Sequence, residues 1–133
     1  MNPRYPEVSR RAANRCEYCH APEAIFNFAF EVEHIIPTLR GGVDALSNLA
    51  LACRSCNIHK SSRLTGFDET SETEVRLFSP RDDQWTDHFR LDKESGAILG
   101  TTDVGRGTAA CLQMNSRDQL RARSQWLRLG LFP

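Results

Sequence analysis

Residues 31–61 have the sequence EVEHIIPTLRGGVDALSNLALACRSCNIHKS, in which strand-forming, turn-forming and helix-forming segments follow one another. A first strand is predicted over Phe28–Ile36, because this segment is rich in aromatic and β-branched residues. Residues 38–44 contain two adjacent glycines and are predicted to form a loop. Leu49–Ala52 is predicted as a second short strand, and Cys56–Ser61 suits a helix. The segment is therefore expected to fold as a strand-loop-strand-helix unit.

Two C-x-x-C pairs bracket the predicted hairpin, Cys16 with Cys19 and Cys53 with Cys56. Each pair can direct two sulfurs at one point, so the four thiolates can bind one tetrahedral structural Zn²⁺. The alternatives are redox-active C-x-x-C motifs and buried core cysteines, although a redox motif needs only one pair. The fifth cysteine, Cys111, is interpreted as a small core side chain.

Five polar side chains in the unit are candidates for a reactive centre. A neutral imidazole at His34 can take a proton from water near pH 7, and the neighbouring Glu33 offers oxygen ligands to a hard cation. Strand alternation turns these two side chains to opposite faces, so both can serve one site only where the strand ends. Asn48 can fix the glycine loop or orient His34, and Asn57 offers an amide oxygen as a second metal ligand. Lys60, one helical turn later, is either a phosphate contact or a solvated surface residue.

The overall composition is that of a globular, non-membrane protein. The chain has 133 residues, enough for one compact domain, of which 40% are hydrophobic and 26% charged. The charges of its 17 basic and 17 acidic residues sum to a formal net charge of zero, so binding to nucleic acid would require a local basic patch. No apolar run has the length of a membrane span, and residues 1–6 lack the features of a signal peptide. We therefore expect a cytoplasmic protein with no membrane partner.

Together, these elements resemble the zinc-knuckle form of the HNH endonuclease motif, from Arg10 to about Ser61. The matching elements are Cys16-x-x-Cys19, Glu33-His34-Ile35-Ile36-Pro37, Gly41-Gly42, Asn48-Leu49 and Cys53-x-x-Cys56-Asn57-x-x-Lys60. The resemblance implies an α+β fold, the ββα-metal (HNH/His-Me) finger, whose catalytic metal is distinct from the structural zinc. It also implies that His34 is the general base, that Glu33 and Asn57 hold Mg²⁺ or Mn²⁺, and that Asn48 braces the loop.

One position departs from the most familiar form of this motif. The family often has a histidine directly after the last knuckle cysteine, whereas this chain has Asn57. Asparagine followed by x-x-Lys also resembles members of the family, so the site is interpreted as active. His59 is the nearby rival ligand, but on a helix it should point away from Asn57.

The second half of the chain carries weaker patterns. Residues 68–74 are acidic and polar and are predicted to form a linker or solvated turn. Trp85–Leu91 and Ala97–Thr102 are predicted as two strands of a hairpin, and Thr108–Met114 as a short helix. A final helix is expected to begin after Ser116 and to end at Gly130. Its arginines form either a DNA-binding basic face or a solvated face: Arg117, Arg121, Arg123 and Arg128.

These patterns predict an HNH nuclease core over residues 1–66 and a C-terminal extension over residues 67–133, a β-hairpin and helices packed on the core in one compact unit. The predicted function is metal-dependent hydrolysis of DNA, with RNA open as a substrate. The alternative is a non-catalytic zinc module that binds nucleic acid or protein. Because no separate specificity domain is visible, a homodimer or an accessory specificity protein is a candidate partner.

Overall fold

The computed structural model describes residues 1–133. It contains five α-helices and six β-strands, and the strands form three separate two-stranded antiparallel sheets. The helices are α1 (Tyr5–Arg11), α2 (Arg54–Lys60), α3 (Trp85–His88), α4 (Asp103–Cys111) and α5 (Arg117–Arg128). The strands are β1 (Glu31–His34), β2 (Leu49–Ala52), β3 (Thr65–Asp68), β4 (Thr73–Arg76), β5 (Phe89–Leu91) and β6 (Ile98–Gly100). None of the helices combines the length and the apolar character that crossing a bilayer requires.

The hairpin β1–β2 and helix α2 follow one another in the predicted order. His34 lies opposite Leu49 in the register of the hairpin, and β2 spans the four residues predicted for it. Helix α2 begins immediately after β2, where the sulfur of Cys53 accepts a hydrogen bond from the backbone N–H of Cys56. Strand β1 is shorter than predicted, because the backbone N–H of Phe30 donates to the Glu23 carboxylate instead of a partner strand.

The acidic segment 68–74 contains the turn of a second hairpin, β3–β4, so of the two predicted alternatives the turn is confirmed and the linker is not. The Asp68 carboxylate accepts hydrogen bonds from the backbone N–H groups of Thr70 and Ser71 and from the Ser71 hydroxyl. The Asp68 carboxylate therefore stabilises this turn, because it accepts hydrogen bonds from backbone N–H groups that have no backbone carbonyl as a partner. The same carboxylate accepts two hydrogen bonds from the guanidinium of Arg106 on α4, at 2.9 and 3.0 Å.

Two further predictions for the second half are corrected. The segment predicted as a strand over Trp85–Leu91 begins as the short helix α3, in which the Trp85 indole donates to the backbone carbonyl of Tyr18. Helix α4 begins at Asp103 rather than at Thr108, because the Thr102 hydroxyl caps its first turn. The cap predicted for the last helix is confirmed, since the Ser116 hydroxyl accepts a hydrogen bond from the first turn of α5.

A single cluster of buried apolar side chains spans both halves of the chain. It includes Val8 and Leu51 from the first half and Phe78, Ile98 and Leu112 from the second. The four paired cysteines belong to the same cluster. The predicted zinc site therefore lies inside the core, where it can connect elements that are distant in sequence.

The buried contact between Asp68 and Arg106 predicts a specific acid sensitivity. Asp68 is 1% exposed, and its hydrogen bonds, with Arg106 first among them, hold the pKa of its carboxyl well below its usual range. The stabilisation is fully present above the unfolded-state pKa of about 3.9 and is lost as the pH falls. We expect Asp68→Asn to lower the free energy of unfolding at pH 7 and to lose less stability between pH 5 and pH 3 than the wild type, as measured by urea denaturation.

The matched control is Glu69→Gln, at the exposed neighbouring position. This variant should follow the wild-type pH dependence. Equal losses of stability on acidification in the Asp68→Asn and wild-type proteins would show that Asp68 does not contribute to the acid sensitivity.

Candidate active site and metal centre

The four paired cysteines converge on one point. Their Sγ atoms all lie within 4.8 Å of one another, and the side chains are buried. The Sγ atoms of Cys19 and Cys53 are 3.7 Å apart, close to the edge of about 3.8 Å in a tetrahedron with Zn–S bonds of about 2.3 Å. Hydrogen bonds with the neighbouring thiols raise the pKa of Cys56. A bound cation would act in the opposite direction, because its positive charge favours the thiolate form. The donor set therefore fits one structural zinc.

Two short segments carry these cysteines, the first knuckle (residues 16–19) and the second knuckle (residues 53–56), and different elements hold them in place. Cys53 lies between β2 and α2, so the hairpin and the helix place the second pair. In the first pair, the backbone N–H of Cys16 donates to the carbonyl of Ala21, and His20 turns the chain with a φ of 66°. The His20 ring stacks on Trp85 with 4.1 Å between ring centroids. The C-terminal half therefore packs directly on the first knuckle.

His34 lies at the end of β1 and contacts a carboxylate from the loop that follows. Its Nε2 is 3.0 Å from Oδ1 of Asp44, and the imidazole is partly exposed. The guanidinium of Arg4 donates to the backbone carbonyl of Asp44 at 2.6 Å and lies 3.6 Å from its carboxylate. The hydrogen bond to His34, followed by the charge of Arg4, lowers the pKa of Asp44. An ionised carboxylate therefore orients the imidazole at neutral pH.

Asn48 connects the two ends of the loop between β1 and β2. Its side-chain oxygen accepts a hydrogen bond from the backbone N–H of Ile36, and its amide group donates to the carbonyls of Ile36 and Val43, each at 2.9 Å. Gly41 has a φ of 88°, and a Cβ on Gly42 would lie 1.8 Å from the Ile36 carbonyl oxygen. The loop thus depends on both glycines and on the Asn48 side chain.

The structure does not bring Glu33 to the His34 imidazole. The Tyr18 hydroxyl donates to one oxygen of the Glu33 carboxylate, and Lys60 Nζ lies 3.1 Å from the other. Burial raises the pKa of Glu33, an effect that Lys60 and Tyr18 oppose. Lys60 is 1% exposed, and its ammonium also donates to the carbonyl of Ile35 at 2.8 Å. The Lys60 ammonium therefore faces the interior, whereas both interpretations from sequence, a phosphate contact and a solvated surface residue, place it at the surface.

Asn57 does meet a carboxylate, but the carboxylate belongs to Glu31. The Asn57 side-chain amide donates to Oε2 of Glu31. Glu31 and Glu33 lie two residues apart on β1 and therefore share the face that packs against α2. The rival ligand His59 has its Nδ1 2.8 Å from the carbonyl of Ser55 in its own helix. The structure thus places a carboxylate and an amide side by side at Glu31 and Asn57.

A scan against protein-family models found one match to this region. Residues 16–63 match the model described as HNH endonuclease. This segment is an HNH domain. The match starts at the first knuckle cysteine and extends beyond helix α2, so it contains every site residue considered above except Arg4. Searches of curated proteins and of solved structures found no match.

Three residues in contact with the predicted site of the HNH domain were missed from sequence. Glu31 could have been found from strand alternation, because it shares a face with Glu33. Tyr18 and Asp44 carry no such signal, since each reaches its partner only through tertiary structure: Tyr18 from the first knuckle and Asp44 from a loop. The missed residues therefore divide between one that periodicity reveals and two that it does not.

The basic face predicted beyond the HNH domain is corrected at one position. Arg123 is fully buried, and its guanidinium donates to the carbonyls of Gly96 and Met114, each at 2.9 Å. The remaining three arginines of the predicted face are exposed: Arg117, Arg121 and Arg128. Arg123 is therefore a structural residue that joins α5 to the turn before β6.

Proposed function

We propose that this protein is a metal-dependent endonuclease that hydrolyses phosphodiester bonds of DNA, with its HNH domain folded as a ββα-metal finger. The observation that carries the proposal is the paired His34 and Asp44, at the mouth of a loop braced by Asn48, within the segment that matches the HNH endonuclease model. Hydrolysis requires an activated water and compensation of the charge that develops on the phosphate. The residues around the β1–β2 loop can meet the first requirement.

His34 is proposed as the general base. A carboxylate that accepts a hydrogen bond from Nε2–H selects the tautomer in which Nδ1 has a free lone pair. Nδ1 is then the atom that takes a proton from water, and Asp44 stabilises the imidazolium that results. Arg4 is the exposed cation closest to this pair in the contacts described above, so it is a candidate for contact with the substrate phosphate.

Glu31 and Asn57 are proposed as the protein ligands of the catalytic cation. A carboxylate and an amide oxygen suit Mg²⁺ or Mn²⁺, and two protein ligands leave positions for water and phosphate. The Asn57 amide, whose N–H group donates to Glu31, would turn its oxygen toward the cation on binding. When bound, such an ion supplies Lewis-acid stabilisation of the phosphate and of the leaving oxygen. The ligand assignment differs from the one implied by resemblance, because both oxygens of Glu33 already have hydrogen-bond partners.

This assignment predicts different effects for two glutamates on one face of β1. Glu31→Gln should weaken binding of Mn²⁺ at least about 10-fold, because changes even in outer-shell partners of a metal have effects of this size. Glu33→Gln combined with Lys60→Met is the matched variant, because it leaves no unpaired buried charge, and it should keep Mn²⁺ affinity close to that of the wild type. Both affinities can be measured on zinc-loaded protein from the electron paramagnetic resonance signal of free Mn²⁺. A loss confined to the double variant would assign the ligand to Glu33 instead.

The function itself is tested by incubation of supercoiled plasmid with the purified protein in Mg²⁺, Mn²⁺ or EDTA. Nicked or linear product that depends on the divalent metal would support the nuclease. A zinc-loaded, folded protein that retards DNA in a gel and cuts neither DNA nor RNA would instead be a binding module. The ratio of nicked to linear product distinguishes one active site acting alone from two acting together.

A further inference from the structure

A buried polar network connects the first zinc knuckle to the strand that carries His34. It consists of Tyr18, Glu33 and Lys60, and it is referred to below as the buried network. The Tyr18 hydroxyl donates to Glu33, and Lys60 Nζ donates to the other oxygen of the same carboxylate. The three side chains are 1%, 6% and 1% exposed, respectively. None of the three is therefore available to a ligand at the surface.

Lys60 contacts the backbone next to His34 as well as the carboxylate. Its Nζ lies 2.8 Å from the carbonyl oxygen of Ile35 and 3.4 Å from that of His34. An ammonium group has three donors, and the carboxylate and the two carbonyls account for all of them. These carbonyls lie where the chain leaves β1 and enters the loop. The ammonium therefore fixes the backbone at the point from which the imidazole projects.

Asn48 holds the next residue through a separate set of hydrogen bonds. Its side chain binds both the backbone N–H and the carbonyl of Ile36, while its own carbonyl accepts from the N–H of Ile35. The backbone of residues 34–36 is therefore held by both Lys60 and Asn48. Such double fixation restricts the direction in which the His34 side chain leaves the strand.

A role in stability alone accounts poorly for this arrangement. Removing two charged groups from water can cost more than their attraction returns, so a buried ion pair is weak evidence for stabilisation. A buried pair can instead impose one geometry, because an ammonium that leaves its partners becomes an unpaired buried charge. Because Lys60 contacts the successive carbonyls of His34 and Ile35, the geometry that it imposes is that of the backbone at the end of β1.

We propose that Lys60 is a positioning residue for His34, and that the buried network transmits the position of the first zinc knuckle to the catalytic strand. The inference rests on the proposed function of His34 as general base. Lys60 does not touch the substrate in this arrangement. Tyr18 lies between Cys16 and Cys19, so zinc binding and alignment of His34 are mechanically connected.

The test compares two variants of the buried network with the wild type. Glu33→Gln combined with Lys60→Met removes both charges together and leaves no unpaired buried ion. We expect its single-turnover cleavage rate to fall about 10- to 100-fold, since misplacement of a catalytic group by about 1 Å has effects of this size. Its affinity for uncleaved DNA in EDTA should be unchanged. Tyr18→Phe, which deletes one hydroxyl, should lower the rate in the same direction and to a smaller extent.

A second measurement does not depend on cleavage. The chain has four histidines, and the ¹⁵N signals of the His34 ring should shift in the double variant while those of His88 stay in place. The chain also has two lysines, of which Lys93 is exposed, so Lys93→Met is the matched control and should retain the wild-type rate.

Different results overturn the two proposals. A folded, zinc-loaded double variant with the wild-type cleavage rate and unchanged His34 signals would overturn the positioning role. If this variant fails to fold, Tyr18→Phe with the wild-type rate and unchanged signals would overturn it equally. Failure of the wild-type protein to cut any nucleic acid would instead overturn the proposed function, and the His34 signals would still decide whether Lys60 positions the ring.

Discussion

Replacement of His34 by Ala is expected to lower metal-dependent DNA cleavage by about 10²- to 10⁴-fold, the usual contribution of a positioned general base. The imidazole is the group proposed to take the proton from water, and Ala leaves no acceptor at that position. Because His34 is partly exposed at the end of β1, its removal should leave the fold intact. The measurement is the rate of plasmid nicking in Mg²⁺ or Mn²⁺, with zinc content and circular dichroism recorded for each protein.

Asp44→Ala provides a graded companion to this variant. The hydrogen bond that it removes orients the imidazole, while the proposed proton acceptor itself stays in place. Cleavage should therefore fall about 10- to 100-fold, less than in His34→Ala, since misplacement of a catalytic group by about 1 Å has effects of this size. Cleavage at the wild-type rate by a folded His34→Ala protein would refute the role of His34 as base. If only Asp44→Ala kept the wild-type rate, the orienting role of Asp44 would be refuted and the role of His34 as base would stand.

Replacement of Cys53 by Ser is expected to abolish zinc binding and to unfold the first half of the chain. A structural zinc in a small domain contributes on the order of 10 kcal/mol of apparent binding free energy at neutral pH, more than a small core can replace. Cys53 also caps α2, and its Sγ lies 3.7 Å from that of Cys19 in the first knuckle. Far-ultraviolet circular dichroism and metal analysis of the purified variant provide the measurement.

Cys111→Ser is the matched control for the loss of a thiol. Cys111 is half-buried on α4 and does not belong to the cluster of four converging sulfurs. This variant should keep one equivalent of zinc and the wild-type spectrum. A Cys53→Ser protein with full zinc content and a native spectrum would contradict the structural assignment of the four-cysteine site.

Some features of the fold follow from local residue patterns, because short-range interactions decide them. Leu49–Ala52 is an apolar run between turn residues, and it forms β2 within the predicted bounds. Ser116 has the residue type of a helix cap and caps α5 as expected. The acidic segment 68–74, predicted as a linker or a solvated turn, contains the turn between β3 and β4, and its composition alone left both interpretations open. The role of Asp68 depends on Arg106, which lies 38 residues further along the chain.

Residue type and spacing encode the cysteine set, the strand-loop-strand-helix order and the residues that carry chemistry, so these features could be predicted before the fold was known. Which of those residues meet depends on tertiary packing. Pleating of β1 separates Glu33 from His34, the packing of α2 on β1 pairs Glu31 with Asn57 and Glu33 with Lys60, and the loop brings Asp44 to His34. These contacts join residues up to 27 positions apart. They depend on how elements pack together, a property that residue spacing along one segment does not contain.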